Sequence, residues 1–395
     1  MTENRDQAPI ICIGFTGWSG NFAKSTLQIM GRLARKRLVV YVDYPFTIKD
    51  LIDALLGKRD IEWKRIVGFK QRLREEAYQS ESIIYVLSLP PVIPVNWLNS
   101  YKLFKMGLRL NSWFIQKTIN RSIRQLKITD PLVINAYNPF YGLFNAGKFK
   151  ERKLVYYCYD EISGSPWAQK YGAMIEKEYL KKVDLIITSS KALHQSKEKL
   201  HANCQVVENG VDFSMFNSYY NENERPQQTE TTIGYIGSLD ERIDYQLLRY
   251  IALQRPQYQY HFVGRVVFPE LLEPIRNIPN ITLIEAVEYH KLPELLLSFD
   301  ITIIPFLKTK FTKNIYPLKI NEYLAMGKPV VRTDFACLPE FDKLVEVGKT
   351  HHEFLEKLDY LVQSDPAELK QKRIDLSKQN SWENRVQQFT ALISG

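Results

Sequence analysis

The chain has 395 residues, 45% of them hydrophobic, which exceeds the usual length of one domain and suffices for two cores of roughly 200 residues each. Its formal charge is +9, and its four cysteines, Cys12, Cys158, Cys204 and Cys337, lie far apart with no C-x-x-C pair, which excludes a disulfide framework and a thiolate metal site. The apolar run after the polar N-terminus, Ile10 to Phe15, is too short for a signal segment or a membrane span, so a cytoplasmic location is expected.

That first run reads as a strand, and Gly14, Gly17 and Gly20 follow it ahead of a helical stretch, with Asp43 ending the next strand, Leu38 to Asp43. The arrangement mimics a dinucleotide fingerprint, but the spacing is G-x-x-G-x-x-G, and Ala23-Lys24-Ser25 lacks the glycine that a phosphate-binding Walker loop places before its lysine. Between Lys58 and Lys127 fourteen Lys and Arg stand against five Asp and Glu, which accounts for the whole positive surplus. Within this span Trp97, Tyr101, Phe104 and Leu108 recur at helical spacing with Lys102, Lys105 and Arg109 beside them. The pattern suits either a basic amphipathic surface on anionic lipid or a helix packed on its own domain with a solvated basic rim. No recognition motif accompanies the charge, so nucleic acid is not an expected partner.

Further strands are expected at Ile83 to Leu87, Leu132 to Ala136, Leu154 to Tyr159, Leu185 to Ser189 and Gln205 to Val207, most of them separated by helical patterns. Asp160 and Glu161 end the fifth of the first-half strands. A carboxylate there can deprotonate a hydroxyl as general base, or it can cap a helix or lie in solvent as part of an acidic pair. A polar stretch, 217–231, reads as a linker. A second series then runs through Thr232 to Ile236, Tyr258 to Val263, Ile281 to Glu285, Ile301 to Pro305, Pro329 to Arg332 and Leu344 to Val347. Two tandem α/β doubly wound domains with parallel sheets follow from this alternation, with ligands expected in the loops at the carboxyl ends of the strands.

The most informative stretch is FDITIIPFLKTKFTKNIYPLKINEYLAMGKPVVRTD, 299–334. Pro317 opens a helix and Gly327 closes it, so the N–H groups at Pro317–Leu318 face the ligand edge, where they suit a phosphate. Lys319 in that first turn is disfavoured by the helix dipole unless an anion is near, and can neutralise a diphosphate; Glu322 can accept from a ribose diol. The alternative for this pair is a solvated i, i+3 contact.

The segments VVENGVDFSMF (206–216), IGYIGSLDERIDYQLL (233–248), YHFVG (260–264), YPLKINEYLAMGKPVV (316–331) and SWENR (381–385) together resemble GT-B glycosyltransferases, especially bacterial family 4 enzymes and the teichuronic acid or capsule-type transferases. The resemblance implies two Rossmann-like domains facing across a cleft: an acceptor-side domain over 1–215, a linker over 216–231, a nucleotide-sugar donor domain over 232–380, and a C-terminal helix, 381–395, packing back on the first domain. It implies donor contacts at Gly237, Ser238, Arg242, Asn314, Tyr316, Pro317, Leu318, Lys319 and Glu322. Glu322 matches the second glutamate of the family's E-x7-E pattern, and Asn314 stands where the first glutamate is usual. It further implies acceptor or cleft roles for Gly17, Trp18, Ser19, Gly20 and Asn209, and makes Asp160 the candidate base. No D-x-D triplet or histidine-rich spacing is present, so no metal and no cofactor are expected, the nucleotide-sugar being substrate. A UDP-sugar is the favoured donor and a saccharide or lipid-linked envelope acceptor the favoured recipient, with residues 58–127 as a membrane contact on the inner face. Two other classes stay open: a nucleotide-sugar-binding protein without turnover, suggested by Asn314, and an NAD-dependent oxidoreductase, suggested by the glycine loop.

Overall fold

A computed structural model describes residues 7–19, 24–79, 82–220 and 230–395. The chain forms two compact units, residues 1–208 with Val386–Gly395, and Asn209–Arg385. The first unit carries strands β1 (Ile10–Ile13), β2 (Val39–Val42), β3 (Leu73–Tyr78), β4 (Ser82–Leu87), β5 (Leu132–Ala136), β6 (Lys153–Cys158), β7 (Leu185–Thr188) and β8 (Cys204–Val206) in the order β3-β4-β2-β1-β5-β6-β7-β8. The central runs IICI, VVYV and LVINA are buried at every position, as strands covered by helices on both faces must be. All neighbours are parallel except β3 with β4, whose register pairs Leu73 with Leu87 and Tyr78 with Ser82. Strand β3, LREEAY, was not expected. As a half-exposed edge strand it buries little and carries no apolar run.

The second unit is an all-parallel sheet of β9 (Thr232–Ile236), β10 (Gln259–Val263), β11 (Ile281–Ile284), β12 (Ile301–Ile304), β13 (Val330–Thr333) and β14 (Glu346–Gly348), ordered β11-β10-β9-β12-β13-β14. In each sheet the strand order reverses direction once, between β1 and β5 and between β9 and β12. The loops after these strands therefore diverge and leave a crevice for a ligand.

The expected linker is described only at its flanks: Phe213–Asn217 is helical, and 221–229 lie outside the described residues. The units part at Glu208–Asn209, ahead of residue 215, because the intervening residues pack into the second unit. Val211 donates its N–H to the Asn380 carbonyl and accepts from Trp382 N–H, Phe216 is fully buried, and Asn217 donates to the Ala325 carbonyl.

The helix Tyr101–Gln125 corrects one reading of the basic segment. Phe104 and Leu108 are core residues, Phe104 meeting the Phe140 ring at 5.3 Å, and Tyr101 donates to Glu178 at 2.6 Å. Of that row only Trp97 is exposed, because a helix covering a sheet must bury one face. Among the described residues no helix is long and apolar enough to cross a membrane.

Gly234 sits in the middle of β9, and a Cβ there would overlap the buried ring of Phe299. Gly234→Ala is expected to destabilise the protein by about 3 kcal/mol, the upper end of the cost of overpacking, read from the midpoint of urea unfolding.

Candidate functional site

In the second unit the loop after β9 ties the strand ends together. Gly237 donates its N–H to the Val263 carbonyl at 2.9 Å, and Gly264, at φ 153°, comes so close that a Cβ on it would overlap the Gly237 oxygen. Leu239 bonds Arg265 and Val267 beyond β10, while the Arg242 carbonyl accepts from Leu307 and Asp244 N–H donates to the Pro305 carbonyl beyond β12. Asp240, buried at the tip, accepts from the Arg242 backbone N–H at 3.1 Å and from its guanidinium at 2.8 and 2.5 Å. This fixes a cation at the point where the strand order reverses.

The helix Leu318–Ala325 begins at Pro317 with no side-chain cap, so its first backbone N–H groups have no cap from the preceding residue. Lys319 reaches back from this first turn. Its ammonium donates to the Tyr235 hydroxyl at 2.7 Å, lies 3.9 Å from that ring's centroid and 4.9 Å from the Phe306 ring, and Tyr235 in turn donates to the Ser238 carbonyl. Burial, reinforced by Arg242, pushes the ammonium well below the ordinary lysine range. One turn on, Glu322 is buried, and desolvation pushes its carboxyl up to about 7 against the opposing pull of Lys319 and a hydrogen bond from Tyr289. The solvated i, i+3 pair that the spacing also permits does not form. Both groups turn inward, and both are shifted toward their neutral forms.

Leading into that helix, the buried Asn314 donates to the Lys310 carbonyl at 3.0 Å. The Tyr316 carbonyl accepts from Asn209 at 2.9 Å and its hydroxyl from Asn321 at 3.1 Å. Asn209 therefore belongs to the second unit and braces the approach to Pro317. Gly237, Ser238, Arg242, Lys319 and Glu322, widely separated in sequence, meet at one edge of one sheet, and the chain segment through Asn314, Tyr316, Pro317 and Leu318 feeds it.

In the first unit the loop after β1 is held by its own charges. Tyr41 donates to the Thr16 carbonyl at 2.6 Å, Trp18 N–H donates to Asp43 at 2.8 Å, and Lys24 donates to the carbonyls of Gly17 at 2.7 Å and Ser19 at 3.2 Å. Gly20 lies outside the described residues. Asp43, the residue that a dinucleotide site would keep for ribose, is thus engaged by the loop itself; burial pushes its carboxyl up while Trp18 and Arg74 oppose the shift. Asp160 follows β6 and is half-buried; burial, reinforced by its charge, raises the phenols of Tyr137 and Tyr159, which stack at 4.6 Å. Its neighbour Glu161 is a cap, accepting from Ser163 N–H at 3.1 Å.

Two features escaped the sequence reading. Phe15, Tyr137, Tyr159 and Trp167 form an aromatic cluster at the β1–β5 crevice, Phe15 stacking on Trp167 at 4.9 Å, and each residue follows a different element without periodic spacing. Lys197 is buried between Glu176 at 2.7 Å and Glu161 at 3.3 Å, with Tyr156 donating to Glu176 at 3.0 Å. Among the described residues no group of three or more His, Cys, Asp or Glu is placed to hold a metal.

Residues 230–379 match the family described as glycosyl transferases group 1. TuaH of Bacillus subtilis (strain 168), assigned to teichuronic acid biosynthesis as a glycosyltransferase, is 29% identical over 217 residues, 48% of this chain; the match spans 53%, about half, of that relative's length. Among solved structures the fold is similar to sucrose-phosphate synthase from Thermosynechococcus elongatus, with a TM-score of 0.71 at 14% identity over 98% of each chain. It is also similar to Anabaena HepE in complex with UDP, with a TM-score of 0.67 at 15% identity over 98% of this chain and 100% of that one.

Proposed function

We propose that this chain, whose fold is that of GT-B enzymes, is a glycosyltransferase that moves a sugar from a UDP-sugar to a saccharide or lipid-linked acceptor of the cell envelope, working at the inner face of the membrane. The observation that carries the donor assignment is the pair of inward-turned groups on the uncapped helix, Lys319 on Tyr235 and the buried Glu322, at the point where the second sheet reverses its strand order. An anion there would repay the desolvation of Lys319, and a ribose diol would satisfy the carboxylate of Glu322. The solved HepE complex holds UDP on a similar fold, and TuaH is assigned to teichuronic acid biosynthesis; the first supports the choice of donor and the second that of a saccharide acceptor.

In this reading the donor diphosphate lies against the first N–H groups of Leu318–Ala325, with Lys319 and Arg242 offsetting its charge as the sugar–phosphate bond breaks. The Gly237–Ser238 turn lies beside Lys319 and borders the nucleotide, and Asn314 and Tyr316 face the sugar. The donor chemistry thus needs no metal or cofactor. Asp160 takes the acceptor hydroxyl proton, and the loop through Gly17, Trp18 and Ser19 positions the acceptor. A second reading rests on Asn314: its amide is committed to Lys310, and a site without a carboxylate at that position can bind donor without turnover. Release of UDP from UDP-sugars in the presence of envelope acceptors separates the two.

Calorimetric titration with UDP, GDP, dTDP and NAD tests the donor assignment. UDP alone is expected to bind well, and Glu322→Ala is expected to weaken it by about tenfold to a hundredfold, the loss of hydrogen bonds to a charged group. Because the Glu322 carboxyl titrates at about 7, the advantage of the parent over Glu322→Gln is expected to grow as pH rises through that value. Preferred binding of NAD, or an effect of Glu322 that ignores pH, removes the assignment.

A further inference from the structure

The helix Tyr101–Gln125 is apolar on two opposite faces. Its inner row, Phe104, Leu108, Ile115 and Ile119, is buried in the first unit's core. Its outer row runs Leu103, Met106, Leu110, Trp113 and Phe114 at helical spacing, 52%, 58%, 46%, 47% and 41% exposed. Further along the same side the row continues as Lys117, Arg121 and Arg124, all exposed, with the Lys117 ammonium 3.6 Å from the centroid of the Trp113 ring. A solvated helix has no use for a second apolar row of this length, and exposed apolar patches of such size mark contact surfaces.

The outer row does not stand alone. The Asn111 side chain brackets Ile93, accepting from its N–H at 2.9 Å and donating to its carbonyl at 2.8 Å, and Ile93 is itself exposed. The adjacent Val92 accepts from Ile48 N–H at 3.0 Å and donates to the Phe46 carbonyl at 2.9 Å, which anchors the start of the helix Ile48–Leu55. That helix buries none of its residues and exposes Ile48, Ile52, Leu55 and Leu56 along one line. Trp97, 72% exposed, stands at the entrance to the long helix. Three exposed apolar segments, linked through Asn111 and Val92, thus lie in one region of the first unit, and the long helix's outer row has a cationic end.

We propose that this surface docks on an anionic lipid bilayer: the Ile48–Leu56 and Leu103–Phe114 rows enter the acyl boundary, Trp97 and Trp113 sit at the headgroup level, and Lys117, Arg121 and Arg124 lie on lipid phosphates. The choice of occupant rests on charge. Residues 48–127, which span all three segments, hold fifteen basic against seven acidic groups, so a second copy seated face to face sets like charge against like, whereas an anionic membrane offers both apolar depth and the opposite sign. The proposal depends on the envelope-acceptor reading only for why such docking is useful. It also replaces the row through Phe104 and Leu108, which is core, with the opposite side of the same helix.

The test is sedimentation with vesicles of equal parts phosphatidylglycerol and phosphatidylcholine, compared with phosphatidylcholine alone. The parent is expected to partition strongly onto the anionic vesicles and weakly onto the neutral ones. Lys117→Gln with Arg121→Gln and Arg124→Gln is expected to lower partitioning about a hundredfold, at roughly a fivefold loss for each cation removed. Leu110→Ser with Trp113→Ser is expected to lower it on both vesicle types. Calorimetric binding of UDP is expected to be equal in all three proteins, so loss of nucleotide binding in the parent overturns the donor site and leaves this surface standing. Parent protein that stays in the supernatant, or partitioning that either variant leaves unchanged, overturns the proposal. So does a concentration-dependent dimer that Leu110→Ser with Trp113→Ser dissolves, which assigns the face to a second copy.

Discussion

Lys319→Met is expected to lower kcat/KM for sugar transfer by roughly a hundredfold to a thousandfold, the usual cost of removing one preorganised group that meets developing charge on a leaving group. The ammonium is held on the Tyr235 hydroxyl and against the Tyr235 and Phe306 rings, so on the proposed reading little reorganisation is needed when a diphosphate departs. Arg242 offsets less of that charge because its Nε and Nη2 already donate to Asp240, and Arg242→Gln is correspondingly milder. The same substitution at Lys319 is expected to leave the folded state as stable or more so. A lysine whose folded pKa is lowered makes the unfolded chain bind more protons between that pKa and its ordinary value; stability therefore rises with pH through the window, and at neutral pH the charged lysine is a cost that methionine removes. Rate assays paired with thermal unfolding check both halves. A rate loss accompanied by a large drop in unfolding temperature would show Lys319 to be structural.

Lys197→Met is expected to do the reverse, costing about 3–5 kcal/mol in stability because it leaves two buried carboxylates facing each other without their cation. Lys197, Glu161 and Glu176 are all buried, and burial already pushes Glu176 up even with the ammonium 2.7 Å away. Without Lys197 both carboxyls are raised above their unfolded values. The folded state then binds more protons than the unfolded one across that interval, so the deficit is small in acid and grows as pH rises. Urea unfolding at mildly acidic and neutral pH measures this slope. Replacing all three together with Met and two Gln is expected to recover part of the loss, since no uncompensated charge remains.

The strands of both sheets were legible because their residues are buried on both faces and carry the signal in apolar runs: Leu132–Ala136 and Thr232–Ile236 fall where the sequence placed them. Strand β3 was not, because an edge strand is specified by its partner β4 and not by its own LREEAY. At the site, Pro317, Lys319 and Glu322 could be picked out because helix punctuation and the dipole are local rules. Arg242's clamp by Asp240 and the Lys319 seat on Tyr235 join residues far apart in the chain, and no local rule reports them. The Lys197 triad fails for a stronger reason: position alone reads each of these residues as surface charge, and only the fold places all three inside. The long helix shows a limit of periodicity itself. Spacing marked an apolar row through Phe104 and Leu108 but did not report which of the helix's two rows faces inward.

The helix Trp382–Ser394 belongs to the second unit up to Arg385 and to the first from Val386 onward. Its start is buried with Val211 and Gly210, while Phe389 meets the Tyr157 ring at 5.6 Å and the Leu392 carbonyl accepts from Lys153. The second unit is therefore an insertion within the first, not an appendage after it. Recombination between relatives that exchanges everything beyond residue 208 also replaces Phe389 and Ile393, and hands the receiving unit a foreign plug for its own core. Exchange of 209–385 alone keeps that plug with its socket, so the second unit passes between such proteins most readily by two crossovers and not by one.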